Sequence, residues 1–191
     1  MFSLPLQRRV TFRAGLLVGT LVVLSLAVGA CGSDGQDANE PSRTYKVDVL
    51  SASFPGRQHL AEESKLKITV QNKDSRVIPN LGVTVDGFYQ RREDPTLADP
   101  NRAVWIVNTP PFNSTSSVTN SWTTGPLRPG GTRTLEWSVS AVRAGTYNPR
   151  YRVNAGTDGK AQAESFDGGP ATGSFTVRIS REPRSLEQDS S

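Results

Sequence analysis

The chain has 191 residues, 35% hydrophobic and 21% charged, with one cysteine and one histidine. A lone cysteine excludes an internal disulfide framework, and a lone histidine without a second thiol would leave a zinc site to three carboxylates, an unusual set. The net charge of +4 comes from 22 basic and 18 acidic residues; setting aside Arg8, Arg9 and Arg13, whose segment has no acid, leaves 19 against 18, so the basic balance is no nucleic-acid signature.

Residues 1–30 read as one unit. The three arginines give a basic start, and Ala14 to Ala30 follow without a charge. A positive start, an apolar middle and small residues at the end make the plan of a secretory signal. The apolar run is short for a membrane span of about 20 residues. Val28-Gly29-Ala30-Cys31 resembles the lipobox of bacterial lipoproteins, with Val28 where leucine is commonest. The resemblance covers residues 1–31. It implies cleavage before Cys31 and a diacylglycerol on its sulfur, with palmitate-type chains in the bilayer and the protein on the extracytoplasmic face of the cell membrane. A thioether sulfur is no longer a nucleophile, metal ligand or disulfide partner. The alternatives are an uncleaved anchor, or an ordinary signal followed by a stray thiol.

Gly32 to Arg43, GSDGQDANEPSR, has one alanine, no other aliphatic residue and no aromatic. Such a segment buries too little to offset the entropy of ordering, so residues 31–43 are expected to be a lipidated cysteine and a flexible linker. Residues 44–180 then form the domain, and 181–191, poor in apolar residues, an unstructured tail.

Within the domain the period is two. Tyr45, Val47 and Val49 open the set. Leu66, Ile68 and Val70 follow, then Leu81, Val83 and Val85, then Leu135, Trp137 and Val139, then Tyr151 and Val153, and last Phe175, Val177 and Ile179. Alternation places each apolar set on one face and the intervening polar residues on the other. Asn72 to Ser75, Pro126 to Gly131 and Ala144-Gly145-Thr146 supply turn chemistry between them. Sheets dry on one face pair into a sandwich. The expected fold is all-β: one immunoglobulin-like antiparallel β-sandwich of about seven to eight strands. Tyr147, just after Gly145, stands where a tyrosine corner would. Reversing strand direction from Tyr45 puts the Asn72–Val77 turn near the tether and Gly87 to Ala103 at the far end.

"SKLKITVQNKDSRVIPNLGVTV" and "GPLRPGGTRTLEWSVSAVRAGTYNPRYRV" resemble the bacterial cell-adhesion-related (CARDB-like) sandwich domains. The matching places are Val70 and Asn72, Val83 and Val85, Pro129 and Gly130, and Gly145 and Tyr147. The family's glycine soon after the asparagine is replaced by Lys73 and Asp74. The resemblance covers roughly residues 45–155 and Phe175 to Ile179. It implies an extracytoplasmic binding or spacer module and carries no catalytic residue.

Catalytic patterns are thin. His59 reads as an exposed turn residue, and no G-x-S-x-G elbow occurs. Glu62-Glu63 and Glu93-Asp94 read as solvated charge. Asp94, Asp99 and Asn101 lack the alternation of a calcium loop, and the glycine-rich "FDGGPATG" lacks the lysine of a phosphate loop. "GFYQRRED" interleaves Phe88 and Tyr89 with Arg91 and Arg92, a composition suited to a partner surface. Trp105 and Trp137 read as core, while Trp122 is open to either role. The expected function is therefore a non-enzymatic binding or envelope-assembly module, without cofactor or metal, whose partners are the bilayer through Cys31 and a protein or other envelope component. The competing readings are a cell-surface hydrolase using loop carboxylates and a purely structural spacer.

Overall fold

The computed structural model describes residues 40–91, 101–118 and 120–182. The expected signal segment with Cys31, most of the expected linker, and residues 183–191 of the expected tail lie outside them. The described residues form no helix and fifteen strands: β1 (Arg43–Ser53), β2 (Arg57–His59), β3 (Glu63–Asn72), β4 (Gly82–Asp86), β5 (Tyr89–Arg91), β6 (Asn101–Ala103), β7 (Trp105–Thr109), β8 (Thr115–Val118), β9 (Ser121–Thr123), β10 (Thr132–Ala141), β11 (Gly145–Tyr147), β12 (Arg150–Asn154), β13 (Ala161–Ser165), β14 (Thr172–Ser174) and β15 (Val177–Ser180).

Two five-stranded sheets carry the fold, in the orders β13-β1-β3-β10-β7 and β14-β12-β4-β9-β8. Lettered in chain order, β1, β3, β4, β7, β10, β12 and β14 are strands A to G. The A-B-E-D order of one sheet and the G-F-C order of the other are those of an immunoglobulin-like sandwich. The remaining strands are short additions: β8 and β9 extend the second sheet, β5 pairs with β6, and β15 lies between β11 and β2. Two of the pairings, β1 with β13 and β15 with β2, are parallel rather than antiparallel.

The alternation read from the sequence decides what faces inward. β3 and β10 pair antiparallel over nine positions, with Leu66 opposite Trp137 and Ile68 opposite Leu135. These side chains are fully buried, as are Val47, Val70, Val83, Val85 and Val139. Each such side chain contributes about 1.5–3 kcal/mol of transfer free energy. The sheets meet through a run of aromatic rings. Trp137 of β10 touches Trp122 of β9 with centroids 5.5 Å apart, Phe88 lies 6.1 Å from Trp122 and 6.2 Å from Trp105, and Trp105 is 5.5 Å from Phe54. Trp122, whose role the sequence left open, is core. Phe175 stands outside β15: its N–H donates to the Pro149 carbonyl, and its half-buried ring packs on Phe54 and Tyr151.

The three turn signatures close their ends as expected. Asn72 is buried; its Nδ2 donates to the carbonyls of Arg76 and Leu127, each at 2.8 Å, and its Oδ1 accepts the Asp74 N–H. One amide thus joins the Asn72 turn to the Pro126–Gly131 turn, where Gly130 supplies the positive φ of +71°. The Tyr147 hydroxyl donates to the Ala144 carbonyl at 3.1 Å, as in a tyrosine corner. Its ring folds over Gly145, where a Cβ would stand 2.9 Å from the hydroxyl oxygen.

The ends of the sandwich are distinct. Lys73 N–H donates to the Lys46 carbonyl, which places the Asn72 turn beside the start of β1. Ala61, Phe88, Val104, Ala141 and Val142 are linked by backbone hydrogen bonds at the other end. The chain therefore enters the domain at the Asn72 end, and the β5–β6 hairpin leaves from the opposite one.

Candidate functional site

The second sheet turns an outward face to solvent, and its alternation decides what lies there. Thr84 of β4 is opposite Arg152 of β12 on one side and Ser121 of β9 on the other. Thr84 Oγ1 and Ser121 Oγ lie 2.5 Å apart, and Asn154 Nδ2 donates to Thr84 Oγ1 at 2.8 Å. These groups floor a groove of about 500 Å³, closed on one side by residues 156–163 and on another by Pro170. Gly82 gives the floor its depth, since a Cβ there would meet Thr123 Cγ2 at 3.0 Å and the Trp122 carbonyl at 3.2 Å. The floor presents two hydroxyls and an amide, with a guanidinium at one margin, and no carboxylate lines it. Arg152 is shared with a neighbouring depression lined by Asp86, Arg150, Thr172 and Ser174. At its edge the buried Tyr151 phenol has its pKa pushed up by burial.

The wall of this groove is held by an unexpected residue. Glu40, placed by sequence reasoning in the flexible linker, is 8% exposed. Its carboxylate accepts the backbone N–H groups of Thr157 at 2.9 Å and Asp158 at 2.8 Å, and also that of Ala161. Charge-assisted bonds to several amides are strong and directional. They seat the carboxylate where Gly156 leaves space, for a Cβ at Gly156 would overlap it. Glu40, expected in the linker, is thus fastened to the domain through the Thr157, Asp158 and Ala161 amides.

The outward face of the first sheet is different. Glu136 is paired with Lys65 and Lys67, each at 2.9 Å, and the hydrogen bonds from these two ammonium groups hold its carboxyl below the usual range. Thr69 and Thr134 bond to each other across the strands at 3.0 Å. This face is a solvated ladder without a concavity among the described grooves.

The residues singled out for partner binding are dispersed. Phe88 is fully buried between Trp105 and Trp122, so it belongs to the core and not to a partner surface. The cause is Gly87, whose φ of +108° turns the chain so that the next side chain points inward; a Cβ at Gly87 would stand 2.9 Å from Pro149 Cα. Tyr89, on the β5–β6 hairpin, is 44% exposed. Arg91 closes β5, opposite Asn101. Arg92 lies outside the described residues, as do Val28, Gly29, Ala30 and Cys31. His59 sits in β2 rather than in a turn, half-buried, with its Nδ1 2.7 Å from the Glu182 carbonyl and 2.8 Å from Ser180 Oγ. Both partners anchor the chain's last described turn. Among the described residues no group of three His, Cys, Asp or Glu side chains is placed to hold a metal ion.

No protein-family model and no curated protein matches the sequence. The fold is similar to the CARDB domain of PF1109 from Pyrococcus furiosus. Its solution NMR structure is 14% identical over 72% of this chain and 94% of that one, with a TM-score of 0.45. The crystal structure of the same domain, in complex with di-metal ions, is 13% identical over 72% and 93%, also with a TM-score of 0.45. The cupredoxin domain of amoB from Nitrosocaldus yellowstonii is 13% identical over 76% and 94%, with a TM-score of 0.41.

Proposed function

We propose that this chain is a lipid-anchored extracytoplasmic lipoprotein whose sandwich is a non-enzymatic binding module for an envelope component. The anchor rests on the sequence from Arg8 to Cys31. The observation that carries the binding reading is the groove on the outward face of β12, β4 and β9, a concavity with fixed hydroxyl, amide and guanidinium groups. A few convergent polar groups in a preformed concavity are what orients a ligand. A hydrolase using paired carboxylates would need two of them facing one cavity; Asp86 is the one carboxylate that the described residues bring to the grooves of this sheet. A pure spacer has no use for such a concavity.

The anchor is tested by metabolic labelling with an alkyne palmitate analogue. The full chain takes up label and Cys31→Ser does not; an unmodified mature Cys31 thiol in the mass spectrum would overturn the reading. The groove is tested by placing a photo-crosslinking residue at Gln162 on its wall or at Thr134 on the other sheet's outer face. Adducts are expected from Gln162 alone and should fall several-fold with Arg152→Glu. Adducts indifferent to Arg152, or equal from both positions, would remove the groove as the binding surface.

A further inference from the structure

We infer that the end of the sandwich where the chain enters is a docking surface for an anionic lipid bilayer, with Phe112 and Val77 as apolar tips and Lys73, Arg76 and Arg128 as basic side chains of the same end. The inference rests on lipidation at Cys31 and adds the orientation that lipidation alone leaves open.

Three observations converge on this end. The first is its apolar tips. Phe112 is 88% exposed. It stands behind Pro110 and Pro111 in a turn closed by the Ser114 N–H on the Pro111 carbonyl at 3.1 Å, and Asn113 takes a φ of +54°. Prolines fix the approach of the chain, so the ring is held out by a stiff support rather than lost from a core. The turn borders Asn80 and Gly125, which places it at the Asn72 end. Val77, 46% exposed, stands on the Asn72 turn itself.

The second observation is charge. Lys73 and Arg76 are exposed on the Asn72 turn, and Arg128 on the turn that the Asn72 amide ties to it. Lys160 lies in the neighbouring 156–161 segment. The acids there are Glu40, whose buried carboxylate is taken up by three backbone amides, Glu164, paired with Lys46 at 3.1 Å, Asp74 and Asp158. Asp74 is half-buried, and its carboxylate accepts the backbone N–H groups of Lys46 and Arg76, so it is directed into its own turn. Asp158 lies 4.0 Å from Lys160. Of the bases, Lys46 and Lys160 face Glu164 and Asp158, while Lys73, which lies over the Phe166 ring at 5.2 Å, Arg76 and Arg128 extend to solvent; apolar tips and basic side chains on one end match an anionic headgroup surface over an acyl boundary.

The third is reach. Glu40 is fastened to the domain at this end by three amides. Eight residues lie between Cys31 and Glu40, and the nine steps joining them, at about 3.5 Å each, span no more than about 32 Å even when straight. β3 has 10 residues and runs the length of the sandwich, about 33 Å at 3.3 Å per residue. An acylated Cys31 therefore keeps the basic end within one domain length of the headgroups, where a weak surface becomes effective because the anchor supplies the proximity.

The test uses the full chain purified from bacterial membranes and returned to vesicles of phosphatidylcholine, with and without phosphatidylglycerol. Ser75→Cys marks the basic end and Val142→Cys the opposite one. With Cys31 acylated, each variant carries one thiol for bimane. Quenching by neutral acrylamide should fall several-fold at position 75 when phosphatidylglycerol is present and stay unchanged at position 142. Charge reversal by Lys73→Glu, Arg76→Glu and Arg128→Glu together should restore quenching while the protein stays on the vesicles, and Phe112→Ser should restore part of it without moving the thermal midpoint. Equal quenching at both positions on anionic vesicles would overturn the docking. So would protection that persists in detergent and grows with protein concentration, since a second copy would then cover this end. Failure of the anchoring reads separately: two dyes per chain and no flotation with vesicles would overturn both.

Discussion

Trp105 and Trp137 are the two largest fully buried side chains, yet their indole N–H groups have opposite fates. Trp105 Nε1 donates to Gln58 Oε1 at 2.7 Å, and Gln58, itself 1% exposed, donates onward to the Pro55 carbonyl at 3.0 Å. Trp137 Nε1 is buried and finds no acceptor among the described residues. Replacing either by phenylalanine removes the same atoms from an equally dry site, so the transfer and cavity losses nearly cancel between the two variants. What remains is the polar term. Trp105→Phe leaves the Gln58 oxygen buried without a donor, at a cost of about 1–3 kcal/mol, whereas Trp137→Phe deletes a donor whose desolvation was uncompensated, recovering a similar amount. The two variants should therefore differ by about 2–6 kcal/mol, a large fraction of the 5–15 kcal/mol typical of a domain. Urea unfolding followed by far-ultraviolet dichroism reads the difference, with equal m-values as the sign that only stability has changed. Adding Gln58→Met to Trp105→Phe should recover part of the loss, since removing both partners of a buried bond costs less than removing one. Equal losses for the two single variants would refute the reasoning.

Further outcomes follow from the same structure. Glu40→Ala should lower stability by about 3 kcal/mol, the order expected when a charged acceptor of several bonds is lost, and should speed hydrogen exchange at the Thr157, Asp158 and Ala161 amides; unchanged exchange there would mean the carboxylate does not hold the loop. Among the described residues, none of β5 lines the groove, so charge reversal of Arg91 and Arg92 should leave the Gln162 adducts and the urea midpoint in place, and a several-fold loss of adducts would extend the binding surface to the β5–β6 hairpin. The Glu136 and Glu164 carboxyls are held below 4.5 chiefly by hydrogen bonds from Lys65 and from Lys46. A depressed folded pKa contributes stability that is complete above 4.5 and is lost as pH falls through the folded values. The urea midpoint should thus decline on the acid side below 4.5, less so in Glu136→Gln, and a midpoint that rises there would contradict the pairing.

The framework of the fold was legible because its signals are local. Alternation over five to ten residues put Leu66, Ile68, Val70, Leu135, Trp137 and Val139 on the inner faces without reference to any other strand. Asn72, Pro129-Gly130 and Gly145-Tyr147 marked turns because amide capping, positive φ and a ring folding back need only near neighbours. The candidate site was not legible in this way. Its floor joins Thr84, Ser121, Arg152 and Asn154 from three strands, and as neighbours in sequence these residues are only the wet half of ordinary alternations. Glu40 sat in a segment whose composition argued for disorder, and the amides that hold it lie 117 to 121 residues further on. Phe88 carried the composition of a recognition loop, but the positive φ at Gly87 and the facing rings of Trp105 and Trp122 drew it into the core. Period and turn chemistry determine which face of each strand is dry; only the packed sheets decide which polar residues meet on the other face, and that Phe112 shares an end of the sandwich with Lys73, Arg76 and Arg128.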